Sequence, residues 1–194
     1  MKKIVRVLIA LLFTAGCITT IAAQTAATGK EPLDIFIGGE IAEYPNVEWI
    51  KGEPVKQFDT NKIYIVELWA TWCGPCVAAM PHLNELHQKF KDKNVVFVAQ
   101  GVWEEDKKKI LQFVEQKGEG LSYRVAFGGG HGSDFDKRWI LPAGINGIPA
   151  TFVIQGGKLV WQTSPDKLNE AVLQLLLDKK FTIEAAETLQ VQTK

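Results

Sequence analysis

Two cysteines three residues apart, in Trp72-Cys73-Gly74-Pro75-Cys76, stand where a β-forming run hands over to a helical pattern. The run Ile63-Tyr64-Ile65-Val66-Glu67-Leu68-Trp69 is nearly continuous β-former, the pattern of a strand buried on both faces. From residue 73 to residue 90 the apolar side chains fall at Cys76, Val77, Met80, Leu83, Leu86 and Phe90, which is helical spacing. Pro81 inside that stretch predicts a kink. In the first turn of a helix two such cysteines share a face. Their Cα atoms can then lie within the range of about 4.4–6.8 Å that a disulfide requires. At the helix start Cys73 meets free N–H groups and the positive end of the dipole, both of which favour a thiolate. Cys76, one turn deeper, keeps its proton longer. The pair is expected as an exposed nucleophile and a shielded resolving thiol.

Other uses of a CxxC pair fit less well. A structural zinc site needs four ligands. The only other cysteine is Cys17, and His82, His87 and His131 show no matching ligand spacing, so no metal is expected. A purely structural disulfide would close a very short loop, where the entropic gain is smallest. Reversible redox exchange is the favoured reading.

Further along, residues 95–99 read as a second buried strand. Residues 104–116 read as a helix with Ile110, Leu111, Phe113 and Val114 inward. Residues 123–127 form a short strand, 128–132 a glycine loop and 135–141 a helix. Residues 151–154 and 158–161 make a hairpin about Gly156-Gly157. Residues 165–177 form a last helix, with Pro165 early, where proline is tolerated. Upstream, Val47 and Trp49 alternate with polar residues as in a short strand or hairpin. Such an order builds an α/β sandwich, and the closing hairpin makes its sheet mixed. The charges from Glu104 to Lys109 read as helix electrostatics, Trp103 as packing and His131 as a solvated loop residue. Gly128-Gly129-Gly130 lacks the ending of a phosphate loop.

The chain opens with Lys2, Lys3 and Arg6, an apolar run over 7–13 and a small-residue exit, the form of a secretory signal peptide. The strong apolar run is short against the roughly 20 residues of a membrane span. Two processing points stay open. Ala22-Ala23 before Gln24 suits ordinary cleavage. Thr14-Ala15-Gly16-Cys17 resembles a lipobox that would place a lipid on Cys17, with Thr14 where leucine is usual. Either removes three basic residues and leaves 19 basic against 22 acidic side chains, a net charge of −3. With no basic patch, nucleic acid is not an expected partner. Apolar residues at 46% and charged ones at 23% exclude a disordered chain and a multi-span membrane protein. The expected organisation is a signal peptide over 1–23, a tether and extension over 24–46, one domain over 47–180 and a polar tail of uncertain order over 181–194.

Glu67-Leu68-Trp69-Ala70-Thr71-Trp72-Cys73-Gly74-Pro75-Cys76, with Pro81 following, resembles the thioredoxin superfamily. The leader, Ala79-Met80-Pro81 and the later Gly147-Ile148-Pro149-Ala150-Thr151-Phe152-Val153-Ile154 resemble its exported TlpA/ResA-type branch, over about residues 47–177. The resemblance implies a thioredoxin-like three-layer α/β/α sandwich with a central mixed β-sheet. It implies Cys73 as the attacking and Cys76 as the resolving cysteine of a redox-active disulfide. Glu67 falls where thioredoxin has a buried carboxylate that relays a proton to the deeper thiol. Pro149 matches the cis-proline facing the disulfide, with the Ile148 backbone free to pair with an extended substrate. Trp72, Gly74 and Pro75 shape the contact surface, and Gly-Pro between the cysteines is the thioredoxin-type pair of a reductant. Val77 stands where relatives often carry Arg or Lys. The residues themselves support the Glu67 reading: a carboxylate inside an apolar strand is costly to bury ionised, so its pKa should rise. The implied protein is an exported, periplasmic or cell-envelope thiol–disulfide oxidoreductase without cofactor. A monomer is expected, acting on protein disulfides or dithiols and re-reduced by a membrane-linked thiol donor. A disulfide oxidase or isomerase of the same fold, and a non-catalytic binding module, are the alternatives.

Overall fold

Six strands in the order β1-β4-β3-β2-β5-β6 form one mixed sheet. They are β1 (Glu48–Lys51), β2 (Ile63–Trp69), β3 (Val95–Gly101), β4 (Arg124–Phe127), β5 (Ala150–Gln155) and β6 (Lys158–Thr163). This computed structural model describes residues 35–192 apart from residue 42. The expected signal peptide, Cys17 in the lipobox-like stretch and the first part of the expected tether and extension lie outside the described residues. Among the described residues no helix is long and apolar enough to cross a membrane.

Helix α1 (Gly74–Phe90) carries the chain from β2 to β3, and such a crossover makes these neighbours parallel. β4 adds parallel to β3, while β1, β5 and β6 pair antiparallel with their neighbours. The β5–β6 turn uses Gly156 and Gly157 at φ 62° and 74°, the left-handed pair that a two-residue hairpin turn requires.

All seven residues of β2 are buried because both faces are covered. Ile63, Ile65 and Trp69 face a layer built from Met80, Leu83, Leu86 and Phe90 of α1 and from α3 (Glu170–Leu177). Tyr64, Val66 and Leu68 face the opposite layer with Phe135, Trp139 and Phe152. That second layer is thin. It consists of a π-helical turn over Asp136–Ile140, where the Leu141 N–H donates to the Asp136 carbonyl at 2.9 Å, and of the segment leading to β2. The mixed sheet between two layers is the sandwich that the sequence resemblance implies.

Several local readings need correction. Helix α2 spans Lys107–Lys117, because the Asp106 carboxylate caps it by accepting the Lys108 N–H at 2.9 Å. Ile110 is the residue it buries fully, and Leu111, one step of about 100° round the helix, is 43% exposed instead of inward. Pro81 lies inside α1, where the sequence reading put it. The expected helix over 165–177 divides: a 3₁₀ turn at Pro165–Lys167 ends at extended Leu168, and Asn169 starts α3 by accepting the Val172 N–H at 2.9 Å. Asn169→Ala is expected to lower stability by about 1 kcal/mol, read as a lower urea midpoint at unchanged slope. The polar tail folds as α4 (Ile183–Gln192), with Ala186 buried and Phe181, Ile183 and Leu189 packed on the core. Residues 35–46 also pack. Ile35, Ile41 and Tyr44 are buried, and the backbone of Gly39 and Ile41 bonds to Leu159 and Gly157, covering the edge of β6 at its first residues only.

Candidate active site

β2 delivers the chain at its C-terminal end into a tight turn. The Cys73 N–H donates to the Ala70 carbonyl at 3.1 Å, and Cys73 is the N-cap residue of α1. From there its carbonyl accepts the Val77 N–H at 3.1 Å, while its sulfur accepts the Cys76 N–H at 3.3 Å. Pro75 sits in the first turn, where its missing N–H costs nothing. Cys73 and Cys76 are joined as a disulfide with their Cα atoms 5.3 Å apart.

Cys73 is only 4% exposed and Cys76 fully buried. The expected order of access stands, but the expected exposed nucleophile does not: in the disulfide both sulfurs are folded into the α1 layer. Accessible surface at the site belongs to Trp72, 59% exposed, and to exposed Gly74 and Pro75. The Trp72 indole N–H donates to the Trp103 carbonyl at 3.1 Å.

Glu67 occupies the middle strand of the site. Residues 65 and 69 on either side of it face the α1 layer, so strand alternation points Glu67 into the layer that holds Cys73 and Cys76. It is 1% exposed, and neither carboxyl oxygen has a hydrogen-bond partner. Burial therefore pushes its pKa up to about 8. A solvated glutamate at a sheet edge is excluded by its place in β2, between β3 and β5.

β5 brings in the other sequence-marked residues. Ala150 pairs with Leu68, so Pro149 and Ile148 just before it stand at the sheet end from which the chain departs for Cys73. The Ile148–Pro149 peptide bond is cis, and both residues are half-buried.

Some residues at this end do more than their sequence readings of helix electrostatics for Glu104, packing for Trp103 and a solvated loop for His131, and Thr151 gave no signal. Glu104 is buried, accepts the Thr71 hydroxyl and lies 3.7 Å from the Lys109 ammonium, so it ties the turn after β3 to the turn before Cys73. Trp103 has φ 52°, rare for a bulky side chain, and its indole N–H donates to Asp136 at 2.8 Å. His131 stacks on Trp103 with ring centroids 4.8 Å apart. Thr151 is buried next to Glu67 in the β2–β5 register with its hydroxyl unpartnered. Among the described residues no group of three or more His, Cys, Asp or Glu side chains is placed to hold a metal ion.

A CxxC disulfide capping the helix that leaves the central strand of such a sheet defines a thioredoxin-like thiol–disulfide oxidoreductase. The pattern of the Redoxin family matches residues 51–172, and the chain belongs to that family as a ResA-like member of the thioredoxin superfamily. It is 32% identical over 189 residues to the thiol-disulfide oxidoreductase ResA of Bacillus anthracis, covering 94% of this chain and 99% of that one. It is 28% identical over 112 residues to protein FixW of Rhizobium leguminosarum, covering 55% of this chain and only half of FixW. The fold is similar to the thioredoxin domain of a thiol-disulfide oxidoreductase from Bacteroides vulgatus. There the TM-score is 0.51 at 19% identity, over 60% of this chain and 81% of that one.

Proposed function

We propose that the protein is exported and reduces protein disulfides through a Cys73–Cys76 dithiol cycle. The observation that carries this reading is the sulfur of Cys73 at the cap of α1, accepting the Cys76 N–H at 3.3 Å. A helix N-terminus of this kind lowers a thiol pKa from ~8.5 into the range of ~3.5–7.5. In the reduced protein Cys73 is then the thiolate. It attacks one sulfur of a substrate disulfide, and the other substrate sulfur leaves as a thiolate that takes up a proton. Cys76 gives its proton to the Glu67 carboxylate and attacks the Cys73 sulfur. The bond between Cys73 and the substrate breaks, and the second substrate thiolate departs. Two electrons have passed to the substrate, and the Cys73–Cys76 disulfide is restored.

Extended substrate backbone beside the disulfide would pair with Ile148, since Pro149 has no N–H to offer. Trp72, Gly74 and Pro75 supply the exposed rim for that contact. The basic, apolar and small-residue order of the leader supports export to the periplasm or cell envelope, by ordinary cleavage or as a lipoprotein anchored through Cys17. Re-reduction then falls to a membrane-linked thiol donor, and the protein acts as a monomer.

Direction depends on the reduction potential. Equilibration of the Cys73–Cys76 pair with redox buffers is expected to give a value nearer the thioredoxin level of about −270 mV than the oxidant level of about −120 mV. A value at the oxidant end would overturn the reducing direction and make the protein a disulfide oxidase.

A further inference from the structure

The strand register places a line of polar side chains beside Glu67. Glu67 of β2 pairs with Thr151 of β5, and Thr151 pairs with Thr163 of β6. Cross-strand partners share a face. Their neighbours Ile65, Trp69, Val153 and Trp161 all belong to the α1 layer, so the three polar side chains cross that layer as one row. Both Glu67 oxygens and both threonine hydroxyls are buried, and none has a hydrogen-bond partner. In the other direction the row continues as Ala99 of β3 and Val125 of β4. The polar track is therefore one-sided. It runs from the buried carboxyl to half-buried Thr163 on the edge strand.

Packing gives no reason for these hydroxyls. An unsatisfied buried hydroxyl is destabilising, and valine has nearly the same shape without that cost. Cβ atoms of cross-strand partners lie about 4.5–5.5 Å apart, a spacing that single water molecules bridge when both sides offer polar atoms. We propose that Thr151 and Thr163 are positioning residues that hold bridging water and form the route by which Glu67 exchanges protons with solvent at the β6 edge. The proposal rests on the reading of Glu67 as the base for Cys76. Burial keeps the Glu67 carboxyl protonated at neutral pH, so before it can take the Cys76 proton it must lose its own to solvent, and the row is the path.

Other titratable groups face this layer. Cys73 and Cys76 face Glu67 from α1. Tyr123, just before β4, is near enough for the Glu67 charge to add to the upward shift that burial gives its hydroxyl. His87 of α1 packs against Tyr123 with ring centroids 5.8 Å apart. The Tyr123 hydroxyl and His87 Nδ1 are buried without partners as well, so this side is the competing route. It lies off the Glu67 register, which passes through Ala99 and Val125.

The test uses the full-length reduced protein and the aromatic disulfide DTNB, which releases one thiolate when Cys73 attacks and a second when Cys76 resolves. Infrared titration of the Glu67 carboxyl is run beside it, assigned with Glu67→Gln. Thr151→Val is expected to slow the second release about tenfold, part of the 10²–10⁴-fold that proton transfer contributes. It is also expected to raise the pH midpoint of Glu67, because the carboxylate loses a donor. Thr151→Ser is expected to restore both, and Thr163→Val to shift both the same way by less. Wild-type behaviour of Thr151→Val, equal slowing by the valine and serine variants, or an effect seen only with Tyr123→Phe each overturns the route. If the route fails while Glu67→Gln still loses its pH-dependent step, the Glu67 reading stands alone. If Glu67→Gln resolves at the wild-type rate at every pH, that reading fails and the route fails with it. Should Thr151→Val not fold, Thr163→Val decides: no shift in rate or midpoint overturns the proposal.

Discussion

Cys73→Ser is expected to bring insulin reduction by dithiothreitol down to the rate without protein. A serine hydroxyl at the α1 cap stays protonated at any working pH, so the N–H groups that favour a thiolate have no anion to stabilise. Cys76 cannot substitute for it. Cys73 keeps a sliver of exposure, whereas Cys76 has none and lies a turn further into the layer. Cys76→Ser should fail differently: Cys73 still attacks, no thiol resolves the product, and covalent adducts with substrate accumulate. Mass spectrometry of those adducts identifies the substrates. The near-burial of Cys73 adds a directional consequence. In the oxidised protein the cysteine left slightly open to an incoming thiolate is Cys73, beside Trp72, so re-reduction and substrate attack are expected to pass through the same residue. Equal insulin precipitation by wild type and Cys73→Ser would remove the catalytic reading and leave a binding module of the same fold.

The parts legible in the sequence were those set by local chemistry. β2 and α1 announced themselves through unbroken β-formers and helical spacing, and the cysteines at their junction followed from both. Glu67 stood out because a charge inside an apolar strand has few physical explanations. Burial of Cys73 was not legible: position on a helix is local, but cover over a sulfur comes from distant parts of the chain. The same holds for α4, whose polar composition hid the few contacts through Ala186, Ile183 and Leu189 that dock it. The packing of residues after 34 was not legible in their irregular pattern because their pairing partners, Gly157 and Leu159, lie more than a hundred residues away. Thr151 and Thr163 are ordinary strand residues until register sets them beside Glu67. The left-handed Trp103 had no precursor in the pattern at all.

Glu67→Gln is expected to change both stability and rate, with a pH signature that separates it from ordinary damage. The Glu67 carboxyl, ordinarily near 4.5, is pushed up to about 8 by burial. Below 4.5 it is neutral in both the folded and the unfolded chain and adds no pH-dependent cost. As pH rises from 4.5 the unfolded chain ionises while the folded one stays protonated, so stability falls steadily. The fall stops above pH 8, where the folded carboxyl ionises as well. At about 1.36 kcal/mol per unit the loss across that window is on the order of 5 kcal/mol, an upper bound for a site that can relax. Glutamine has no such titration, so the oxidised variant should be several kcal/mol more stable than oxidised wild type at pH 8.5. Near pH 4.5 the two should lie close together. Keeping the disulfide intact in both states removes the thiols from the comparison. Activity should move the opposite way. Resolution by Cys76 needs the ionised carboxylate, so in wild type it accelerates up to about pH 8 and then levels. In the variant that step loses about 10²–10⁴-fold, together with this limb of the profile. Denaturant titrations at the two pH values and the second release from DTNB measure both halves. Parallel stability profiles for wild type and Glu67→Gln would show that the carboxyl is not held protonated by burial, and its role as the base for Cys76 would lose its physical ground.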